Sequence, residues 1–309
     1  MDTQVNNYEL SQEIIKHMDQ LILGKHQQIK LAIACLLAKG HLLIEDVPGV
    51  GKTTLAHGLA KILGLNFQRI QFTNDLLPAD ITGVSIFDAN SREFVFKSGP
   101  IFSQLVLADE INRATPKTQS ALLEAMEEQQ VTIDGITHDL PQPFFVVATQ
   151  NPNEQVGTFP LPESQLDRFL MRIDIGYPSA EAERQLLLHG DTRSSIPNLN
   201  SVCTLEELKL LQSATDQIVI SEALVDYVQA IVLATREPDL FLNGLSPRAA
   251  LGLIKAAKAW TFLSNHKGVL PEDIQAVLPG VVNHRLVTKH KERTGHSASQ
   301  YLISEVAIP

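Results

Sequence analysis

One stretch constrains the fold of this chain more than any other: His41-Leu-Leu-Ile-Glu-Asp-Val-Pro-Gly-Val-Gly-Lys-Thr-Thr-Leu55. It reads as a buried strand over 42–45, a glycine turn, and a helix that opens on Lys-Thr. Those pieces in that order make a phosphate-binding P-loop. Backbone N–H groups around Gly49, Val50 and Gly51 can point inward at phosphate oxygens, so the expected nucleotide contacts run from Pro48 through Thr54. Lys52 can reach the β- and γ-phosphates, and the Thr53 hydroxyl can meet Mg²⁺. The strict pattern begins with glycine, whereas this chain has Asp46. That position ends the strand and need not touch phosphate. Gly49 and Gly51, where the backbone must come close, are present.

A second stretch supplies acids. Leu105-Val-Leu-Ala-Asp-Glu110 is four apolar residues ending in two carboxylates. A buried strand with this ending delivers Asp109 and Glu110 to the crevice at the carboxyl edge of a sheet, where ligands bind. In a P-loop enzyme Asp109 holds Mg²⁺ through its water shell, and Glu110 orients and polarises the attacking water. A third apolar run, Val146-Val-Ala-Thr-Gln-Asn-Pro152, ends in Asn151, which can hydrogen-bond that water or the γ-phosphate.

Short apolar strands separated by helices predict an α/β fold with a parallel sheet covered on both faces. Two helices precede the P-loop, over 8–38, with a break near Leu23-Gly24. Two hairpins interrupt the alternation. In one, Val84 and Ile86 and, across the turn, Phe94 and Phe96 alternate with polar neighbours around 88–92. The other turns at Asp134-Gly135, a strong two-residue hairpin signal. Thr115-Pro116 opens a helix running to about Gln129. After Gly176-Tyr177-Pro178 the pattern turns helical, with a capping box at Thr204 and Glu207 and a helix opened by Ser246-Pro247. A boundary near Tyr177 divides the chain into 1–177, an α/β core, and 178–309, a smaller all-α domain.

Bulk properties narrow the partners. The chain has 309 residues, 44% hydrophobic and 19% charged, with a net charge of −10. That balance disfavours general binding to nucleic acid or to an anionic membrane. Cys35 and Cys203 match no metal or redox spacing, and Cys35 sits in an apolar run as a structural thiol. With no basic, apolar leader at the N-terminus and no run of membrane-spanning length, the expected location is the cytoplasm.

At this point the residues carry a family resemblance. The set Glu45-Asp-Val-Pro-Gly-Val-Gly-Lys-Thr53, Ala108-Asp-Glu-Ile-Asn-Arg-Ala114, Ala148-Thr-Gln-Asn-Pro152, Gln165-Leu-Asp-Arg-Phe169 and Leu245-Ser-Pro-Arg-Ala249 resembles the MoxR family of AAA+ ATPases, over nearly the whole chain. The resemblance implies that Lys52 and Thr53 form Walker A, that Asp109 and Glu110 form Walker B, and that Asn151 is sensor 1. It implies further that Arg168 is an arginine finger and that Arg248 is the sensor 2 arginine opening a lid helix. Family members carry Asp or Gly at the Asp46 position. The hairpins at 84–96 and 131–138 look like the helix-two insert and the pre-sensor-1 hairpin, and 178–309 like the helical lid. Asn74 departs from the family's more usual proline. The adenine is expected between the two domains near Ile22 and Gly24.

The resemblance also implies a ring, a homo-hexamer, that spends ATP on chaperone-like remodelling or activation of a client protein. A separate von Willebrand factor A domain protein is a further expected partner. A finger placed across a subunit interface is worth about 10³ to 10⁵ in rate. Arg248 falls in the first turn of its helix, where a cation opposes the macrodipole, which makes sense if a phosphate lies near. Arg113, just past Walker B, can also face a neighbour. Two alternatives stay open, a nucleic-acid translocating motor and a nucleotide-dependent binding switch. The hairpin tips argue against the motor, because the Asp134-Gly135 tip has no Lys or Arg and the other offers one Arg92 beside Asp88 and Glu93, whereas a phosphate-tracking loop presents cations. The filled catalytic positions argue against the switch.

Overall fold

The computed structural model describes residues 2–152, 156–190, 196, 199–237, 239–289 and 297–308. Helices α1 (Asp2–Leu21) and α2 (His26–Leu37) lead into β1 (Leu42–Glu45), and α3 (Lys52–Ile62) follows the P-loop. The break between the first two helices falls at 22–25, where Gly24 takes a left-handed φ of +71°. Next come β2 (Phe67–Gln71), α4 (Pro78–Thr82), the hairpin β3 (Gly83–Asp88) and β4 (Glu93–Ser98), then β5 (Leu105–Asp109). A 3-10 turn at Ile111–Arg113 precedes α5 (Pro116–Glu128), the hairpin β6 (Gln130–Ile133) and β7 (Ile136–Asp139), and β8 (Phe145–Gln150). The short α6 (Glu163–Leu166) and β9 (Met171–Ile173) complete this half. Beyond lie α7 (Ala180–His189), α8 (Leu205–Asp216), α9 (Glu222–Thr235), α10 (Pro247–Leu263), α11 (Pro271–Val282) and α12 (Ala298–Glu305).

Five parallel strands form the sheet in the order β2-β5-β8-β1-β9. Their carboxyl ends therefore share one edge. The P-loop leaves β1, the paired acids end β5, and Asn151 follows β8, which lies between those two strands. Strands β5 and β8 are buried along almost their whole length because helices cover both faces. The outer strand β2 instead exposes Gln68, Arg69 and Gln71, and such polar residues keep a sheet edge from pairing with another chain. It ends at Gln71, and the next residue, Phe72, donates its N–H to Asp109 O at 2.9 Å.

Strand β9 has no counterpart among the sequence expectations. It is three residues long and its centre is Arg172, so it carries no apolar run to recognise. Arg172 is tolerated there because Glu45 of the adjacent β1 pairs with it at 2.7 Å.

Strand side chains alternate between two apolar clusters. Leu42, Ile44, Leu105, Leu107, Phe145 and Val147 face one side, and Leu43, Val106, Ala108, Val146 and Ala148 face the other. The second cluster is closed by Ile81 of α4 and by Leu122, Leu123 and Met126 of α5. The first is larger. It takes in Ile14 and Met18 of α1, Ile29 and Ile33 of α2, and then Leu211, Ile231, Leu253, Ala256, Trp260 and Leu302 from four helices after residue 178. Apolar packing is thus continuous across the expected boundary near Tyr177.

Local signals in the helical half are realised in detail. Thr204 Oγ1 accepts from Glu207 N while Glu207 Oε2 accepts from Thr204 N at 2.8 Å, a complete capping box. Ser246 Oγ accepts from Ala249 N at 3.0 Å, with Pro247 in the first turn. Thr115 departs from this scheme. It does stand at the N-cap of α5, but its hydroxyl meets Thr118 Oγ1 at 3.2 Å rather than a backbone N–H.

Candidate active site

A cavity of about 620 Å³ opens at the carboxyl edge of the sheet. Ile22, Pro48, Gly49, Val50, Gly51, Lys52, Thr53, Thr54, Asp109, Glu110 and Asn151 all line it. Gly24 does not, though its neighbours Leu23 and Lys25 do, and its left-handed turn sets their course. Pro178, Leu186 and Leu187 close the far side, giving an apolar end beside Ile22 and a polar end at the P-loop.

The loop geometry follows from its glycines. Gly49 and Gly51 have φ of +87° and +98°, and a Cβ on either would meet nothing within 4 Å. The backbone there is an open cradle whose N–H groups precede the N-terminus of α3. Lys52 Nζ turns back onto the loop, donating to Asp46 O at 2.5 Å and Val47 O at 3.3 Å. It thus holds carbonyl oxygens in a position suited to phosphate oxygens. Burial pulls its ammonium below the usual lysine range, opposed by the charges of Asp46, Asp109 and Glu110. Asp46 has its own work. Its carboxylate accepts from Val47 N at 2.7 Å and from Gly176 N at 2.5 Å, tying the loop to the segment that leads into α7. Lys25 reinforces that tie by donating to Tyr177 O at 2.7 Å.

The two acids are held differently. Asp109 is buried, and its Oδ1 accepts from Thr149 Oγ1 at 2.6 Å. Its Oδ2 accepts from Arg69 Nε at 3.0 Å and Nη2 at 2.6 Å. Glu110 sits in the left-handed region, φ 58° and ψ 49°, a conformation costing a non-glycine residue of order 1–3 kcal/mol. Its N–H donates to Thr149 Oγ1 at 2.9 Å, which turns the carboxylate out of the strand. Gln71 Nε2 donates to Glu110 Oε2 at 2.8 Å, and Arg113 Nε pairs with the same oxygen at 3.0 Å.

These groups fit a nucleoside triphosphate with magnesium. The cradle offers amides and an ammonium to phosphate, and Thr53 and Asp109 offer the hard oxygen ligands that Mg²⁺ takes. Among the described residues no cluster of three or more His, Cys, Asp or Glu could hold a metal. A magnesium ion here would draw most of its ligands from phosphate and water, its ordinary habit.

Arg168 and Arg248 do not line the cavity. Both turn to Glu127 on α5: Arg168 Nη2 lies 2.8 Å from Glu127 Oε2, and Arg248 Nη2 pairs with Glu127 Oε1. Arg168 also donates to Leu123 O at 2.5 Å. In place of the phosphate expected beside Arg248, this chain sets the Glu127 carboxylate.

Several contributors went unforeseen. Arg69, Gln71 and Glu127 reach the acids and the arginines from distant positions in the chain, and no local motif marks them. Asp46 alone had left a trace, as the one departure from the P-loop pattern.

Fold and site together define a P-loop ATPase of the AAA class. Residues 41–171 match the family described as "ATPase family associated with various cellular activities (AAA)", and residues 233–305 match the AAA lid domain. The uncharacterised protein YeaC of Bacillus subtilis is 44% identical over 306 residues, covering 99% of this chain and 96% of its own. Chaperone MoxR1 of Mycobacterium tuberculosis is 41% identical over 301 residues, covering 94% of this chain and 79% of its own. A crystal structure of a candidate ATPase from Cytophaga hutchinsonii matches with a TM-score of 0.89 at 37% identity, covering 100% of this chain and 97% of that one. The chain belongs to the MoxR family of AAA+ ATPases.

Proposed function

We propose that the protein hydrolyses ATP to ADP and phosphate with Mg²⁺, in the cytoplasm, as a homo-hexameric ring that remodels or activates a separate client protein. The observation that carries this reading is the convergence of Lys52, Thr53, Asp109, Glu110 and Asn151 on one cavity. Lys52 exchanges the Asp46 and Val47 carbonyls for β- and γ-phosphate oxygens, which the amides of the Gly49–Gly51 cradle also hold. Thr53 and Asp109 would hold the metal, which would supply charge neutralisation for the transferring phosphoryl group. Glu110 leaves Gln71, accepts a hydrogen bond from the attacking water and polarises it, while Asn151 orients that water or the γ-phosphate.

Arg168 and Arg248 enter as a pair supplied in trans. They lie together at Glu127 and away from the chain's own cavity, which favours a neighbouring copy's γ-phosphate as their target. The adenine packs at the apolar end near Ile22. We retain the division into 1–177 and 178–309 as the nucleotide-binding core and the lid.

The client surface favours protein over nucleic acid. Phe87 and Phe94 on the β3–β4 hairpin are exposed and pack edge-to-face at 5.5 Å, with Asp88 and Glu93 beside them. Apolar rings flanked by acids suit a polypeptide, through which a von Willebrand factor A domain protein or another client would engage. Among the described residues no helix is long and apolar enough to cross a membrane.

Calorimetry and turnover on two variants test the reading. Lys52→Ala should lose ATP binding. Glu110→Gln should bind ATP with Mg²⁺, hydrolyse it about 10²–10⁴-fold more slowly, and elute as a hexamer that retains its client. Turnover unchanged in both variants would refute the assignment.

A further inference from the structure

The strongest unassigned group outside the cavity is a buried guanidinium. Arg285 follows α11, and its side chain is 6% exposed. All five of its N–H donors find acceptors. Nε donates to Asp167 Oδ1 at 2.7 Å. Nη2 donates to Asp167 O at 3.2 Å and Phe169 O at 2.6 Å, and Nη1 to Leu170 O at 3.2 Å. The fifth goes to Val281 O in the last turn of α11. Three carbonyls from the residues on either side of Arg168 therefore point at one cation.

The chain of contacts continues. Asp167 Oδ2 accepts from Ser246 Oγ at 3.1 Å. Ser246 is the N-cap of α10, where its Oγ accepts from Ala249 N, and Arg248 stands in that first turn. Arg285, Asp167 and Ser246 thus join the backbone that carries Arg168 to the backbone that carries Arg248, while the two guanidinium tips meet at Glu127. The planar fork matters, because an ammonium cannot serve a carboxylate and three carbonyls spread around one plane.

We infer that Arg285, acting through Asp167, is a positioning residue that sets Arg168 and Arg248 in one fixed geometry for delivery to a neighbouring copy's nucleotide. This rests on the reading of those arginines as trans-acting. The lid contributes Arg285 and Arg248 and the core contributes Arg168, so the unit is correct only while lid and core stay in register.

The test uses full-length Arg285→Lys and Asp167→Asn. With Mg²⁺ present, each should bind ATP in its own cavity within about twofold of the parent, with kcat lowered about 10²-fold and KM little changed, as expected when transition-state groups are misplaced by about 1 Å. Each is then mixed with Lys52→Ala, whose cavity is dead but whose arginines are intact. Turnover of the mixture should exceed that of either component about tenfold, because Lys52→Ala copies present correctly set arginines to the variant's nucleotide. Arg168→Ala mixed with Lys52→Ala is the reference. Recovery in the reference but not in the Arg285→Lys and Asp167→Asn mixtures overturns the inference while sparing the trans reading. Loss of ATP binding along with turnover also overturns it, by making Arg285 a general brace of the fold. No recovery in the reference removes the trans reading, and the inference with it.

Discussion

His41 begins the segment that leads into the P-loop, and its ring is buried. Its Nδ1 accepts from Val146 N at 3.0 Å, and Nε2 faces Met126 O at 3.3 Å, so the neutral ring satisfies both neighbours. Burial pulls its pKa from 6.5 down to about 4. Between those values the unfolded chain binds a proton that the folded chain refuses, so stability falls as pH drops from 6.5 to 4. The full loss from this one ring is about 3 kcal/mol. His284, likewise displaced downward by burial and by Arg285, adds to the same trend. Urea midpoints measured across this interval should fall with acidity, and His41→Gln should flatten the slope. None of this was legible beforehand, since a histidine before an apolar strand gives no hint of what its two nitrogens meet. The P-loop and the Asp109–Glu110 pair were legible, because their chemistry is packed into a few consecutive residues next to a strand. Arg69, Gln71, Glu127 and Arg285 lie tens of residues from the groups they hold, and a single sequence carries no record of such pairings.

Among the elements, the hairpins show how much a turn residue can decide. Asp134 and Gly135 both take positive φ, 51° and 79°, as the two-residue turn requires. That hairpin was readable from turn chemistry, and the existence of the one at 84–96 from alternation, but not its register: Phe94 lies opposite Phe87 and Phe96 opposite Ser85, so Val84 and Ile86 face the other way. The position that launches β3 was not readable. Gly83 has φ +95°, and a Cβ there would lie 2.3 Å from Lys97 O and 2.6 Å from Gly99 N. Both obstacles are backbone of the partner strand and its turn, so they cannot swing aside. Gly83→Ala should therefore cost about 1–3 kcal/mol and splay the hairpin, read as a lower thermal midpoint and faster amide exchange over 83–98. Strand β9 and helix α4 escaped notice for the opposite reason. At three and five residues they are too short to show a period, and only pairing with β1 and packing under the sheet makes them elements.

For the whole molecule the decisive fact is that one apolar cluster reaches from α1 through the sheet to α12. Trp260 on α10, the chain's single tryptophan, is part of it, with Lys30 of α2 over its ring at 4.1 Å. Lid and core should accordingly unfold together. Trp260 fluorescence and far-ultraviolet circular dichroism are expected to give superimposable urea transitions, and a separate early fluorescence step would contradict that. The order of helices and strands had suggested two bodies joined at Tyr177, because composition changes there; packing between distant helices is what a linear pattern cannot display. The same continuity limits how the chain can be dissected. Severing it at that junction would strip α2 of its cover and leave Ile29, Ile33 and Leu36 facing water. The excised N-terminal half would be a sticky fragment in need of its own missing coat, so any dissection of this protein is better made by point substitution than by scissors.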